Sequence, residues 1–194
     1  SNSNSNSNSN SNSNSNSNSN SNSNSNSDNA KKASSVSSNK NDSSFESQTG
    51  KWRTVVSKDE MRNTESKWLA LRSENNADLN FPYDGENKLQ FDILDSKSDD
   101  PKIFLTIDKG QYDCNDYCYT AVKFGNSPIQ YLNFQKYETS GSDGTILIFT
   151  ENSKAFLDNI RKVNSLMVEL PFYSNGTRQF KFDTSKFNNA EKVI

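Results

Sequence analysis

Histidine is missing from all 194 residues. Its absence removes Ser-His-Asp and Cys-His arrangements, the commonest general base, and every zinc site that uses imidazole. Cysteine is almost as scarce: Cys114 and Cys118 are the whole supply, and two thiols alone cannot complete a zinc site. Long hydrophobic runs are lacking too. The cluster TILIF at 145–149 is strand-sized, far short of the ~20 residues a membrane helix needs. Charge of either sign is balanced, with 22 basic and 24 acidic residues giving a net charge of −2. Without a cationic run there is no surface to track phosphates, so nucleic acid is not an expected partner. No signal peptide is visible, and the chain starts at Ser1 inside low-complexity sequence; a mature or trimmed form is expected.

What is present divides sharply. Residues 1–27 are an unbroken Ser-Asn alternation, and before Gly50 the only bulky apolar side chains are Val36 and Phe45. Such a segment buries too little surface to offset the entropy of ordering it. Residues 1–50 therefore read as a disordered Ser/Asn-rich linker, and 51–194 as a single β-rich globular domain. A flexible coil of that length spans roughly 40 Å, enough to act as a tether. An inert slippage product and a condensing segment are the other readings.

From Lys51 onward the pattern is that of short strands. Trp52 to Val56 opens the series, and Lys67–Ser73 follows with Trp68, Ala70 and Arg72 on one face and Leu69 and Leu71 on the other. Leu89, Phe91 and Ile93 alternate with Lys88, Gln90 and Asp92, as a half-buried antiparallel strand requires. Ile103, Leu105 and Ile107 repeat the pattern. Tyr119, Ala121 and Lys123 oppose Thr120, Val122 and Phe124 in the next strand. Further strands are expected at 129–134, at 145–149, and around Leu166, Val168 and Leu170, where Pro171 is expected to stop the strand. Asn175-Gly176 signals a hairpin into Phe180 and Phe182. One helix is expected, with Phe156, Leu157, Ile160 and Val163 forming its apolar stripe. Asn152 or Ser153 would cap it, with Arg161 and Lys162 in its last turn. The fold class is therefore mainly β: an antiparallel β-sandwich or barrel-like domain with one α-helix, preceded by a disordered tail.

Candidate chemistry gathers in GQYDCNDYCYTAVKFG at 110–125. Cys114 and Cys118 sit on a polar loop between two strands. In an oxidising compartment they would close a small disulfide ring worth about 2 kcal/mol by loop entropy; in the cytosol they would stay reduced. The C-x3-C spacing differs from the C-x2-C of thioredoxin-like sites. Asp113, Asp116, Asp143 and the pair Asp99-Asp100 are loop carboxylates without EF-hand spacing, so solvated charge is favoured over calcium. Neither a metal nor a cofactor is expected. Tyr112, Tyr117 and Tyr119 lie in or beside this loop, where tyrosines often form recognition surfaces; Tyr83, Tyr137 and Tyr173 are similarly placed. The bland alternative is strand-end tyrosines with wet hydroxyls. Asn175-Gly176-Thr177 is a glycosylation sequon, relevant only in a eukaryotic secretory pathway.

Four segments, KWRTVVSKDEMR, LNFPYDGENKLQFDI, GQYDCNDYCYTAVKFG and VELPFYSNGTRQFKFDTSKF, resemble a largely uncharacterised family of small β-rich bacterial proteins. Its members are associated with the cell envelope or with prophage regions, and many are described as lipoproteins. A remoter similarity is to envelope accessory proteins of type VI secretion systems. The resemblance covers about residues 51–188 and implies an exported protein of the periplasm or outer envelope. Attachment to the membrane would run only through an N-terminal lipid anchor that this chain does not display. The expected role is a non-catalytic binding module whose partner is a protein or envelope component. A secreted or periplasmic inhibitor of an envelope-targeting enzyme such as lysozyme is the alternative, and a carboxylate-dependent hydrolase is a third.

Overall fold

Where apolar and polar residues alternate, the chain is extended and hydrogen-bonded into one sheet. A computed structural model describes residues 41–194, with side chains described from residue 47. The strands are β1 (Asn41–Thr49), β2 (Trp52–Asp59), β3 (Thr64–Arg72), β4 (Leu89–Leu94) and β5 (Lys102–Ile107), then β6 (Tyr117–Phe124), β7 (Gln130–Lys136) and β8 (Ile146–Phe149). Helix α1 (Ser153–Arg161) precedes β9 (Ser165–Phe172) and β10 (Gly176–Asp183), and α2 (Phe187–Glu191) follows. The ten strands form one sheet in the order β1-β2-β3-β4-β5-β8-β7-β6-β9-β10. From β3 to β10 every neighbouring pair is antiparallel.

The described residues divide into two compact units, 44–56 with 66–194, and 41–43 with 57–65. In the smaller unit the described residues include the turn at 60–63. There Arg62 pairs with Asp59 at 2.9 Å, and Lys58 lies 3.9 Å from Glu65.

In the larger unit the inward positions of each strand are those expected from the alternation. Leu89, Phe91 and Ile93, then Ile103, Leu105 and Ile107, then Leu166, Val168 and Leu170 are all buried. The sheet curls so that strands far apart in its order meet. Phe91 on β4 lies 5.9 Å from Phe182 on β10, ring to ring. Phe156 of α1 touches Phe91, Phe124 and Phe149, from β4, β6 and β8, at 5.9, 4.8 and 5.1 Å. The helix thus carries the chain from β8 across the concave side to β9 and fills the interior as it goes. Asn152 caps it as expected, its side chain accepting from the Ala155 N–H at 2.9 Å.

Just beyond β3 the curl closes. The Glu74 N–H donates to the Lys181 carbonyl at 2.7 Å. The Asn75 side chain then donates to the Gln179 carbonyl at 2.9 Å and accepts from the Lys181 N–H at 2.8 Å. An amide side chain carries the same donor and acceptor as a peptide unit, so Asn75 stands in for a strand residue along the free edge of β10. Of the two expected architectures, the barrel-like one describes this unit.

Strand β1 falls within the expected linker 1–50, of which residues 1–40 lie outside the described residues. Three expectations need correction. A second helix, α2, joins the expected one; at five residues, with no side-chain cap, it carries no sequence signal. The strand at Lys67–Ser73 starts earlier, at Thr64. Finally, β9 runs through Pro171, which faces Thr177 on β10 while its carbonyl accepts from the Asp113 N–H at 3.0 Å. A proline removes only the N–H from a ladder.

Candidate binding surfaces on the outer sheet face

The Cys114–Cys118 disulfide forms, with Cα atoms 5.4 Å apart. It ties the start of β6 to the loop before it, leaving Asp113, Asn115, Asp116 and Tyr117 exposed around a buried Cys118. The three tyrosines of this stretch separate. Tyr112 is 2% exposed, packs on Phe172 at 5.4 Å and donates its hydroxyl to the Thr145 carbonyl at 2.9 Å. Burial pushes its ionisation well above the ordinary range. It belongs to the core and not to the expected surface, because it bridges to Phe172 at the end of β9. Tyr117 and Tyr119, by contrast, are 52% and 72% exposed.

Tyr119 has a companion that the sequence reading passed over. On β7, Tyr131 is 69% exposed. Tyr119 faces Asn133 and Tyr131 faces Ala121, so the two tyrosines are diagonal neighbours on paired strands, about 7 Å apart by strand geometry. The small Ala121 lowers the floor beside them. A depression of about 250 Å³ opens there, lined by Ala121, Lys123, Ile129, Met167, Glu169 and Gln179. Glu169 and Gln179 are joined by a 2.9 Å hydrogen bond across β9 and β10. The signal for Tyr131 was its outward position in QYLNFQK, but only the β6–β7 register puts it beside Tyr119.

A second feature lies farther round the outer face. Trp68, Leu94, Phe104, Tyr137 and Ile146 line an apolar groove of about 180 Å³, with Asp92 in its lining. Phe104 and Tyr137 meet edge to face at 5.1 Å. Burial pushes the Asp92 carboxyl up to about 6, although Gln90 and Trp68 donate to it and Arg53 and Arg72 act on it electrostatically. Arg72 is itself held by Asp108 in a two-pronged pair at 2.8 and 2.6 Å. The charged groups acting on Asp92 are thus arginines, and among the described residues no second carboxylate acts on it.

The other candidate groups are not brought together. Asp99 pairs with Lys154 at 3.3 Å and Asp100 with Lys102 at 2.7 Å. Among the described residues no cluster of three or more acidic or thiol groups could hold a metal ion. Tyr83 is partly buried against the core and Tyr173 is exposed on the β9–β10 hairpin. The Asn175 amide of the sequon is occupied, accepting from the Asn80 N–H and donating to the Tyr173 carbonyl, both at 2.9 Å. No described helix is long and apolar enough to cross a membrane.

Comparison with protein-family models, curated proteins and solved structures finds no match to this chain.

Proposed function

We propose that this chain is a non-catalytic binding module of the bacterial cell envelope, and that it binds through the outer face of β6 and β7. The observation that carries the reading is the pair Tyr119 and Tyr131, exposed side by side on rigid paired strands. A tyrosine immobilises few side-chain torsions on contact and offers both a flat apolar face and a hydroxyl, which is why it recurs at recognition surfaces. The sheet beneath it is preorganised, and that lowers the entropic cost of binding. The Cys114–Cys118 bridge supports an oxidising compartment, since thiols in the cytosol of most cells are kept reduced. Tethering by the N-terminal segment belongs to the same proposal.

The test is retention of an envelope component by the immobilised full chain, with the Tyr119→Ala/Tyr131→Ala double variant as control. A component held by the parent and released by the variant supports the reading; equal retention by both, or none by either, refutes it. The exposed acidic loop stapled by the disulfide also favours a second reading, an inhibitor of a lysozyme-like enzyme. Protection of bacterial cell walls from lysozyme by the parent, lost after Asp116→Ala, would select that alternative.

A further inference from the structure

Residues 74–80 run as a strap along the free edge of β10. Glu74 and Asn75 tie its start to Lys181 and Gln179. Its far end is tied to the β9–β10 hairpin. Arg178 Nε donates to the Asp78 carbonyl at 3.1 Å, and the Asn80 N–H donates to the Asn175 side-chain oxygen at 2.9 Å. The Asn175 amide nitrogen donates in turn to the Tyr173 carbonyl at 2.9 Å, while Arg178 Nη1 donates to the Asn175 main-chain carbonyl at 2.5 Å. The strap is thus fastened at its far end to one asparagine amide and one arginine.

Asn175-Gly176 is the only Asn-Gly pair in the chain, and the pair has a chemistry of its own. The main-chain nitrogen of Gly176 can attack Cγ of Asn175, closing a five-membered imide. The bond from Cγ to Nδ2 breaks, and ammonia leaves with the proton that Gly176 gives up. Water then opens the imide at one carbonyl or the other, leaving aspartate or isoaspartate. Glycine favours the attack because it carries no side chain to hinder it, and the space where a Cβ of residue 176 would stand is open. The fold opposes the step. Nδ2 cannot leave without giving up the Tyr173 carbonyl, and Cγ cannot change its geometry without disturbing the bond from Asn80. Gly176 is itself fixed opposite Phe172 at the start of β10. We propose that Asn175 is a self-modification site guarded by the strap: tied, the strap holds the amide out of reaction; lifted, it lets Asn175 cyclise. The resulting carboxylate has no hydrogen to give the Tyr173 carbonyl, and isoaspartate adds a methylene to the main chain at the hairpin. The strap cannot be tied again as before, so the hairpin keeps a permanent record of its opening. This site is independent of what the outer face binds.

The experiment incubates the purified full chain at mildly alkaline pH, in native buffer and in guanidinium chloride, and follows Asn175 by peptide mapping with mass spectrometry. Isoaspartate is told from aspartate by its fragmentation. The native chain should react about tenfold more slowly than the unfolded one, or slower still, the scale of one or two hydrogen bonds that must break first. Arg178→Ala removes the ties to Asp78 and to the Asn175 carbonyl, and in native buffer it should react several-fold faster than the parent. Asn175→Gln should give no product at this position. Equal rates in native buffer and denaturant overturn the inference, because the fold then guards nothing. So does an Arg178→Ala variant, folded by circular dichroism, that reacts as slowly as the parent. An Asn175 that stays intact even in denaturant removes the chemistry altogether. If Arg178→Ala does not fold, the comparison of the parent in the two buffers decides alone.

Discussion

The Asn75 side chain accepts from the Lys181 N–H at 2.8 Å while donating to the Gln179 carbonyl at 2.9 Å. These residues are more than a hundred positions apart in the chain, and the two bonds seal the place where the curled sheet meets itself. Asn75→Ala deprives one donor and one acceptor of β10 of their partners, at a cost of about 2 kcal/mol. Urea denaturation measures the loss, and faster amide exchange at Lys181 localises it. Asn75→Asp keeps the acceptor and loses the donor, so it should fall between the two. An alanine variant as stable as the parent would mean that the seam contributes nothing.

The pH dependence should carry the mark of Asp92. Its native pKa is pushed up to about 6 from 3.8, chiefly by burial. The native state therefore holds a proton that the unfolded chain has already released. The stabilisation from the neutral carboxyl is complete below the unfolded value and is lost as pH rises through about 6, on the order of 2–3 kcal/mol. Asp108 acts with the opposite sign: burial opposes its ionisation, but Arg72 outweighs this and holds its pKa below the ordinary value. Its contribution is lost as pH falls. The difference between parent and Asp92→Asn isolates the first group, and denaturation between pH 4 and 7.5 should show the decline in the parent and not in the variant. Parallel profiles would sink the assignment.

Two tyrosines seven positions apart should behave in opposite ways. Tyr112→Phe removes a buried hydroxyl and orphans one acceptor bond at Thr145, costing about 1 kcal/mol of stability. Tyr119→Phe touches an exposed side chain and should leave the urea midpoint within error of the parent. A reversed order of effects would contradict the placement of both residues.

Reduction offers a direct measure of the small ring. Closing so short a loop stabilises by about 2 kcal/mol in the chain-entropy account, so the Cys114→Ser/Cys118→Ser double variant should lose about that much or somewhat more, because Cys118 is buried. Dithiothreitol should lower the parent's melting temperature and leave the variant's unchanged. Protein from its native cells, alkylated with and without reductant and weighed intact, reports whether the bridge forms where the protein resides. Thiols that alkylate without reductant would remove the oxidising compartment from the proposal.

Much of this molecule was legible before folding. The inward sets of β4, β5, β6 and β9 follow from period-two alternation, and α1 follows from its apolar stripe and the Asn152 cap. Both depend on residues within one turn or one strand of each other, so they are written locally. The misreadings share a cause. Helix α2 is five residues long with no side-chain cap, and β9 passes through Pro171, whose missing N–H costs little at that place in the ladder.

The candidate surface was legible only in part. Tyr117 and Tyr119 were visible as outward positions of a strand, and Tyr112 lay in the same short stretch with the same chemistry. What separated them was the bridge to Phe172 and the closeness of Thr145, contacts made across long spans of chain. Alternation tells which side of its own strand a residue occupies, because side chains point to opposite faces in turn. It does not tell which strand lies next door. Tyr131 beside Tyr119, Asp92 beside Trp68 and Asn75 beside Lys181 are all facts of register and closure, decided by how the whole sheet could bury its inner face at once.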